Sequence, residues 1–88
     1  MVSGTVKIKN PTSLHLRPAG MFCKKAVEFE ACSITFQVGN TIGNAKSVLS
    51  VLAACVKCGD VIQINCDGKE EEKALTSMIH FVEEELED

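Results

Sequence analysis

The chain has 88 residues, 45% of them hydrophobic and 24% charged, with a formal net charge of −3. That suffices for one small domain, expected to span 1–88, with a core modest enough that most apolar residues must point inward. No apolar run reaches membrane-spanning length and no signal peptide is recognisable, so a cytoplasmic protein without membrane insertion is expected.

Val2 to Lys9 alternates apolar and polar side chains, Val6 and Ile8 against Lys7 and Lys9, which predicts a strand with one buried face. Asn10-Pro11-Thr12-Ser13 breaks it in a turn. A helix is predicted from about Leu16 to about Glu28. Its stripe is Ala19, Phe22, Cys23, Ala26 and Phe29, with Lys24, Lys25 and Glu28 facing away. Ser33 to Val38 reads as a second strand with Ile34, Phe36 and Val38 on one face. Gly39-Asn40 is a hairpin turn, and Thr41-Ile42 starts a short third strand. Ser47 is the expected N-cap of a second helix through Ala54, which Lys57-Cys58-Gly59-Asp60 ends. Val61 to Cys66 is a fourth strand, with Val61, Ile62 and Ile64 apolar. Asp67-Gly68-Lys69 then turns into a last helix from about Glu70 to Glu85, with a stripe of Ala74, Leu75, Met78, Ile79, Val82 and Leu86. The order β-α-β-β-α-β-α predicts an α+β fold, an open-faced β-sandwich with a four-stranded antiparallel sheet and three helices on one face.

Charge is unevenly distributed. Residues 1–59 hold seven Lys/Arg and two acids, whereas residues 60–88 hold two Lys and ten acids. The basic part contains His15, which favours an acidic or phosphorylated partner on that side. No dense basic patch and no Tyr or Trp occurs, so nucleic acid is excluded as the expected ligand. Five cysteines without a secretion signal argue against a disulfide framework. Cys55-Val56-Lys57-Cys58 lacks the second ligand pair that a structural zinc site needs, so no metal is expected. The cysteines read as small buried hydrophobes in a reducing compartment. His80 falls on the polar side of the last helix and reads as a surface residue without a role.

The run Leu14-His15-Leu16-Arg17-Pro18-Ala19-Gly20 carries the chemistry. It sets a histidine immediately before a helix start and the only arginine two residues later. A helix start offers free N–H groups and partial positive charge to an anion. Imidazole, with an unperturbed pKa of about 6.5, is neutral enough at cellular pH to attack a phosphoryl group and carry it. The amides of Leu16 and Arg17 point toward an anion over the helix end, Pro18 presets φ for the first turn, and a guanidinium neutralises phosphoryl oxygens bidentately. A histidine at a strand–helix junction also occurs as a cap or surface group, which leaves open a small ligand-binding α+β domain with an incidental histidine.

This run resembles the active-site signature of HPr, the histidine-containing phosphocarrier family of the bacterial phosphoenolpyruvate-dependent sugar phosphotransferase system. A second segment, Asn44-Ala45-Lys46-Ser47, resembles the one carrying that family's regulatory serine. The resemblance implies that His15 accepts a phosphoryl group on Nδ1 from phosphorylated enzyme I and donates it to enzyme II A domains, with Arg17 stabilising it. It implies no cofactor and a monomer. It further implies modification of Ser47 by an HPr kinase/phosphorylase, with a catabolite-control transcription factor as a partner of the modified form. Val48, Leu49 and Leu52 would form the exposed docking patch, and Lys24 and Lys25 its rim. A purely regulatory relative is expected to lack the histidine, and this chain keeps it. A regulatory binding module controlled through Ser47 is the alternative reading. Ser13, Leu16 and Gly20 depart from the family's frequent choices, and one extra residue separates the first helix from Ser47.

Overall fold

The computed structural model describes residues 1–9 and 16–85. The elements in chain order are β1 (Val2–Lys7), α1 (Leu16–Val27), β2 (Cys32–Val38), β3 (Thr41–Asn44), α2 (Val48–Ala53), β4 (Val61–Gly68) and α3 (Glu71–His80). A π-helical turn, Phe81–Glu85, continues α3. The turn expected over Asn10–Ser13, His15 and Leu86 lie outside the described residues.

The four strands form one antiparallel sheet in the order β1-β4-β2-β3. Its register follows from the alternation. Val6 pairs with Ile62 and Phe36 with Ile64, so the apolar side chains of β1, β2 and β4 share one face. Val6, Ile34, Phe36, Ile62, Ile64 and Cys66 are buried there beneath Ala19, Phe22 and Ala26 of α1, Val51 of α2, and Ala74 and Met78 of α3. The Phe22 and Phe36 rings meet edge to face with centroids 6.1 Å apart, a favourable aromatic geometry. The opposite sheet face is polar. Ser3 Oγ and Gln63 Nε2 donate to Asn65 Oδ1 at 2.7 and 2.8 Å, and Asn65 Nδ2 donates to Thr35 Oγ1 at 3.3 Å. Those groups satisfy one another across strands, so nothing drives a second layer onto that face.

Four expectations need correction. β1 ends at Lys7, because the Ile8 N–H donates to Asp60 O at 2.8 Å and Ile8 O accepts from the Gly59 N–H at 2.9 Å. That pairing ties the end of β1 to the loop before β4. α2 ends at Ala53, well before Gly59. Cys55 takes a left-handed conformation (φ 53°) and its N–H closes the helix onto Leu52 O at 3.2 Å, the role glycine usually fills after a helix. α3 begins at Glu71, because Glu70 itself is left-handed (φ 57°). Finally, Cys55 and Cys58 are exposed, while Cys23, Cys32 and Cys66 are buried as expected. Cys55 and Cys58 flank Val56, which turns inward and takes the core position. Val61 is likewise exposed at the start of β4.

The hairpin turn matches its reading at Gly39, which has φ +57°. Asn40 does not share the positive φ. Ser47 is the N-cap of α2, with extended backbone (φ −116°, ψ 115°) and a hydroxyl that accepts from the Ser50 N–H at 3.3 Å.

Candidate functional site

α1 opens at Leu16, the residue after His15. Pro18 in the first turn is fully buried, and Ala19 and Phe22 are buried with it, so the start of the helix is anchored in the core. Arg17, immediately before Pro18, is exposed. The first turn carries no acidic residue, so no carboxylate competes for an anion at this helix end, where the leading N–H groups lack intrahelical partners. Pro18 has no N–H to offer, which leaves the amides of Leu16, Arg17 and Ala19. The last turn holds Lys24 and Lys25, complementing the opposite pole of the helix. His15, the candidate phosphoryl acceptor, lies outside the described residues. The segment containing it is bounded by two fixed points: the end of β1, pinned to Gly59 and Asp60, and the core-anchored start of α1.

The second motif is fully described. Asn44 closes β3 and organises the turn into α2. Its Oδ1 accepts from the Lys46 N–H at 2.9 Å and its carbonyl accepts from the Ser47 N–H at 3.0 Å. Ala45 is fully buried and its N–H continues the sheet by donating to Ile34 O at 3.0 Å. Ser47 is thereby held half-buried at the head of α2.

The expected docking residues separate. Leu49 is 79% exposed, an unusual degree for a leucine in a helix, while Val48 and Leu52 are half-buried and Val51 is core. α2 packs on α1 and β3. Lys24 is exposed, but the open groove it lines is shared with Met21, Lys25, Glu28 and Phe81, not with α2. The structure therefore brings Val48, Leu49 and Leu52 onto one short helix and puts Lys24 at a different groove. His80 is exposed at the end of α3.

Two features were not read from sequence. One is the Lys46 side chain, whose ammonium donates to Phe29 O at 2.7 Å and Cys32 O at 2.6 Å. In the sequence, Lys46 is marked only by its position beside Ser47. The other is the chemistry of the cysteines. Burial, and then the neighbouring Cys32 thiol, push the Cys66 thiol up to about 11. A thiol so perturbed is inert at neutral pH. Among the described residues no group of three or more metal-ligating side chains is present, and no helix is long and apolar enough to cross a membrane.

Comparison with known proteins decides the family. The model for the PTS HPr component phosphorylation site matches residues 2–84. The chain belongs to the HPr family of the phosphotransferase system. It is 32% identical to the phosphocarrier protein HPr of Treponema pallidum over 89 residues, covering 100% of this chain and 99% of that protein. It is 31% identical to the HPr-like protein Crh of Halalkalibacterium halodurans over 85 residues, covering 97% of this chain and all of that protein. The crystal structure of HPr-C-His from Thermoanaerobacter tengcongensis superposes with a TM-score of 0.88 at 34% identity, covering 94% of this chain and 92% of that one. The open-faced antiparallel sheet with three helices is thus the HPr fold.

Proposed function

We propose that this chain is a phosphocarrier in which His15 takes a phosphoryl group from phosphorylated enzyme I and passes it to enzyme II A domains for sugar uptake. The observation that carries the reading is the start of α1 at Leu16, directly after His15, with Arg17 exposed and Pro18 anchored. In the transfer, a neutral ring nitrogen of His15 attacks phosphorus and the bond to the donor's phosphorylated group breaks. The amides of Leu16 and Arg17 and the Arg17 guanidinium stabilise the charge on the three equatorial oxygens. The P–N bond keeps the group at high transfer potential, so the reverse attack by an A-domain acceptor discharges it. The protein is the phosphorylated intermediate of a relay and works as a cytoplasmic monomer, a single domain over 1–88. Val48, Leu49 and Leu52 supply an apolar docking face, and Lys24 supplies a charged contact to acidic partners.

The test is the complete relay. Label from phosphoenolpyruvate is followed through enzyme I and this chain to an A domain. Transfer through wild type and none through His15→Ala is expected. An A domain that stays unlabelled with wild type present refutes the carrier reading.

A second reading is favoured by Ser47 at the head of α2, whose hydroxyl is held by a single 3.3 Å capping hydrogen bond, and by the similarity to an HPr-like protein Crh. Ser47 is the substrate of an HPr kinase/phosphorylase, and its phosphate controls docking to a catabolite-control transcription factor and repels phosphorylated enzyme I. The two roles coexist in one chain. Unchanged affinity for both partners after Ser47 phosphorylation refutes the regulatory role.

A further inference from the structure

Lys46 is a part-buried cation with no carboxylate partner among the described residues. Its ammonium is instead fixed by two neutral carbonyls, Phe29 O at 2.7 Å in the loop after α1 and Cys32 O at 2.6 Å at the start of β2. Its backbone is fixed as well, through the 2.9 Å bond from its N–H to Asn44 Oδ1. The two carbonyls take up two of the ammonium's three donors and do not cancel its charge. Ser47 is the next residue in the chain, so the spacing of consecutive Cα atoms and the length of the lysine side chain keep that charge within roughly 12 Å of its hydroxyl. The other charged groups on the surrounding elements are few. α2 and β3 carry none, α1 carries Arg17, Lys24 and Lys25, and Glu28 and Glu30 follow α1. Of these, Lys25 is already paired with Glu28 at 3.5 Å.

We propose that Lys46 is a positioning residue and the built-in counter-charge for a phosphate on Ser47. This rests on the reading of Ser47 as a modified serine. The hydrogen bonds to Phe29 and Cys32 stop the side chain from sweeping through solvent, so its field at Ser47 is permanent and needs no ordering when the phosphate arrives. A phosphoserine brings about −1.5 to −2 charges near neutral pH, because its second ionisation lies near 6. A fixed cation close by favours the dianion, so the second ionisation of phosphoserine at position 47 is expected at lower pH than in a flexible peptide. Removal of the cation returns it toward the peptide value. At a separation of roughly 5–10 Å in a water-like dielectric, a single charge shifts the acid dissociation constant two- to four-fold.

The experiment uses the full chain with phosphoserine installed at position 47 during synthesis, so no kinase is needed. The ³¹P chemical shift is titrated in the otherwise wild-type protein, in Lys46→Gln and in Lys46→Arg. Glutamine keeps a donor for the carbonyls without the charge, and arginine keeps the charge. The expected result is a dissociation constant about two- to four-fold smaller in Lys46→Gln and unchanged in Lys46→Arg. Equal constants in all three proteins, or a loss in arginine as large as in glutamine, overturn the proposal. Should Lys46→Gln fail to fold, Lys46→Met, which keeps the length of the side chain without the charge, is titrated in its place, and a constant equal to wild type overturns the proposal. The outcome is separable from the regulatory reading. If the installed phosphate shows the shift but no ATP-dependent kinase modifies Ser47, regulation fails and the counter-charge stands.

Discussion

Leu49 and Val51 lie two residues apart on α2, yet they are 79% and 1% exposed. Truncating each to alanine separates docking from folding. Burying a whole leucine side chain is worth about 1.5–3 kcal/mol. Leu49 holds most of that area in reserve, so a partner covering it gains about 1–2 kcal/mol. Leu49→Ala removes most of this gain and should raise KM for enzyme I or an A domain roughly ten-fold. It leaves the core intact and replaces one good helix former by another, so stability should stay within about 0.5 kcal/mol of wild type. Val51→Ala deletes two buried carbons and leaves a partial cavity, costing about 2 kcal/mol, or on the order of 10 °C in Tm for a domain of this size. Thermal unfolding and steady-state phosphotransfer on both variants check this. A Tm loss in Leu49→Ala equal to that in Val51→Ala refutes the assignment of helix faces. An unchanged KM with every partner refutes the docking role.

Other outcomes follow from single features. Arg17→Lys keeps the charge but loses the planar fork, so phosphotransfer should slow about ten-fold at unchanged Tm; wild-type rates in a quench-flow assay would show that the guanidinium is not the stabilising group. Gly68 has φ +141°, and an added Cβ would lie 2.3 Å from Ala31 O and 2.9 Å from Cys32 Cα. Gly68→Ala should therefore cost more than ~3 kcal/mol in urea unfolding, since backbone atoms must move. The native Cys66 thiol holds its proton up to about 11, whereas the unfolded thiol releases it near its ordinary value of 9.0. The folded state binds more protons between these values, so stability is complete below pH 9 and falls as pH rises toward 11. Cys66→Ala should flatten that fall, and a slope identical to wild type would count against it. In the native protein at pH 8, Cys55 and Cys58 should react rapidly with a thiol reagent while Cys23, Cys32 and Cys66 react only on unfolding.

The sheet was legible because strand periodicity and burial coincide. Val6, Ile34, Phe36, Ile62 and Ile64 alternate with polar residues, and one alternation admits one buried face. α2 was less legible, because its apolar residues run nearly all round and spacing alone cannot select the face that leaves Leu49 outside. Its end was misplaced because Gly59 is the obvious terminator, whereas Cys55 supplies the left-handed residue at a conformational cost that propensity does not anticipate. The helical stripe of α3 was read with a 3.6-residue period, but the chain switches to π geometry at Phe81. Phe81 is buried beside Val82 although the stripe omits it; it follows Met78 by three residues and Ala74 by seven, which is ordinary helical spacing. The Lys46 contacts depend on where the loop between α1 and β2 passes, which no local pattern encodes.

The central claim is that His15 carries the phosphoryl group at the amide-lined start of α1. It is tested most directly by incubating the protein with phosphoenolpyruvate and a catalytic amount of enzyme I, then locating the phosphate by ³¹P NMR and peptide mass spectrometry. The account predicts one phosphoramidate signal, on the peptide containing His15, stable in alkali and lost in acid. An acid-stable phosphate, a phosphate on any other residue, or an unmodified chain would contradict it.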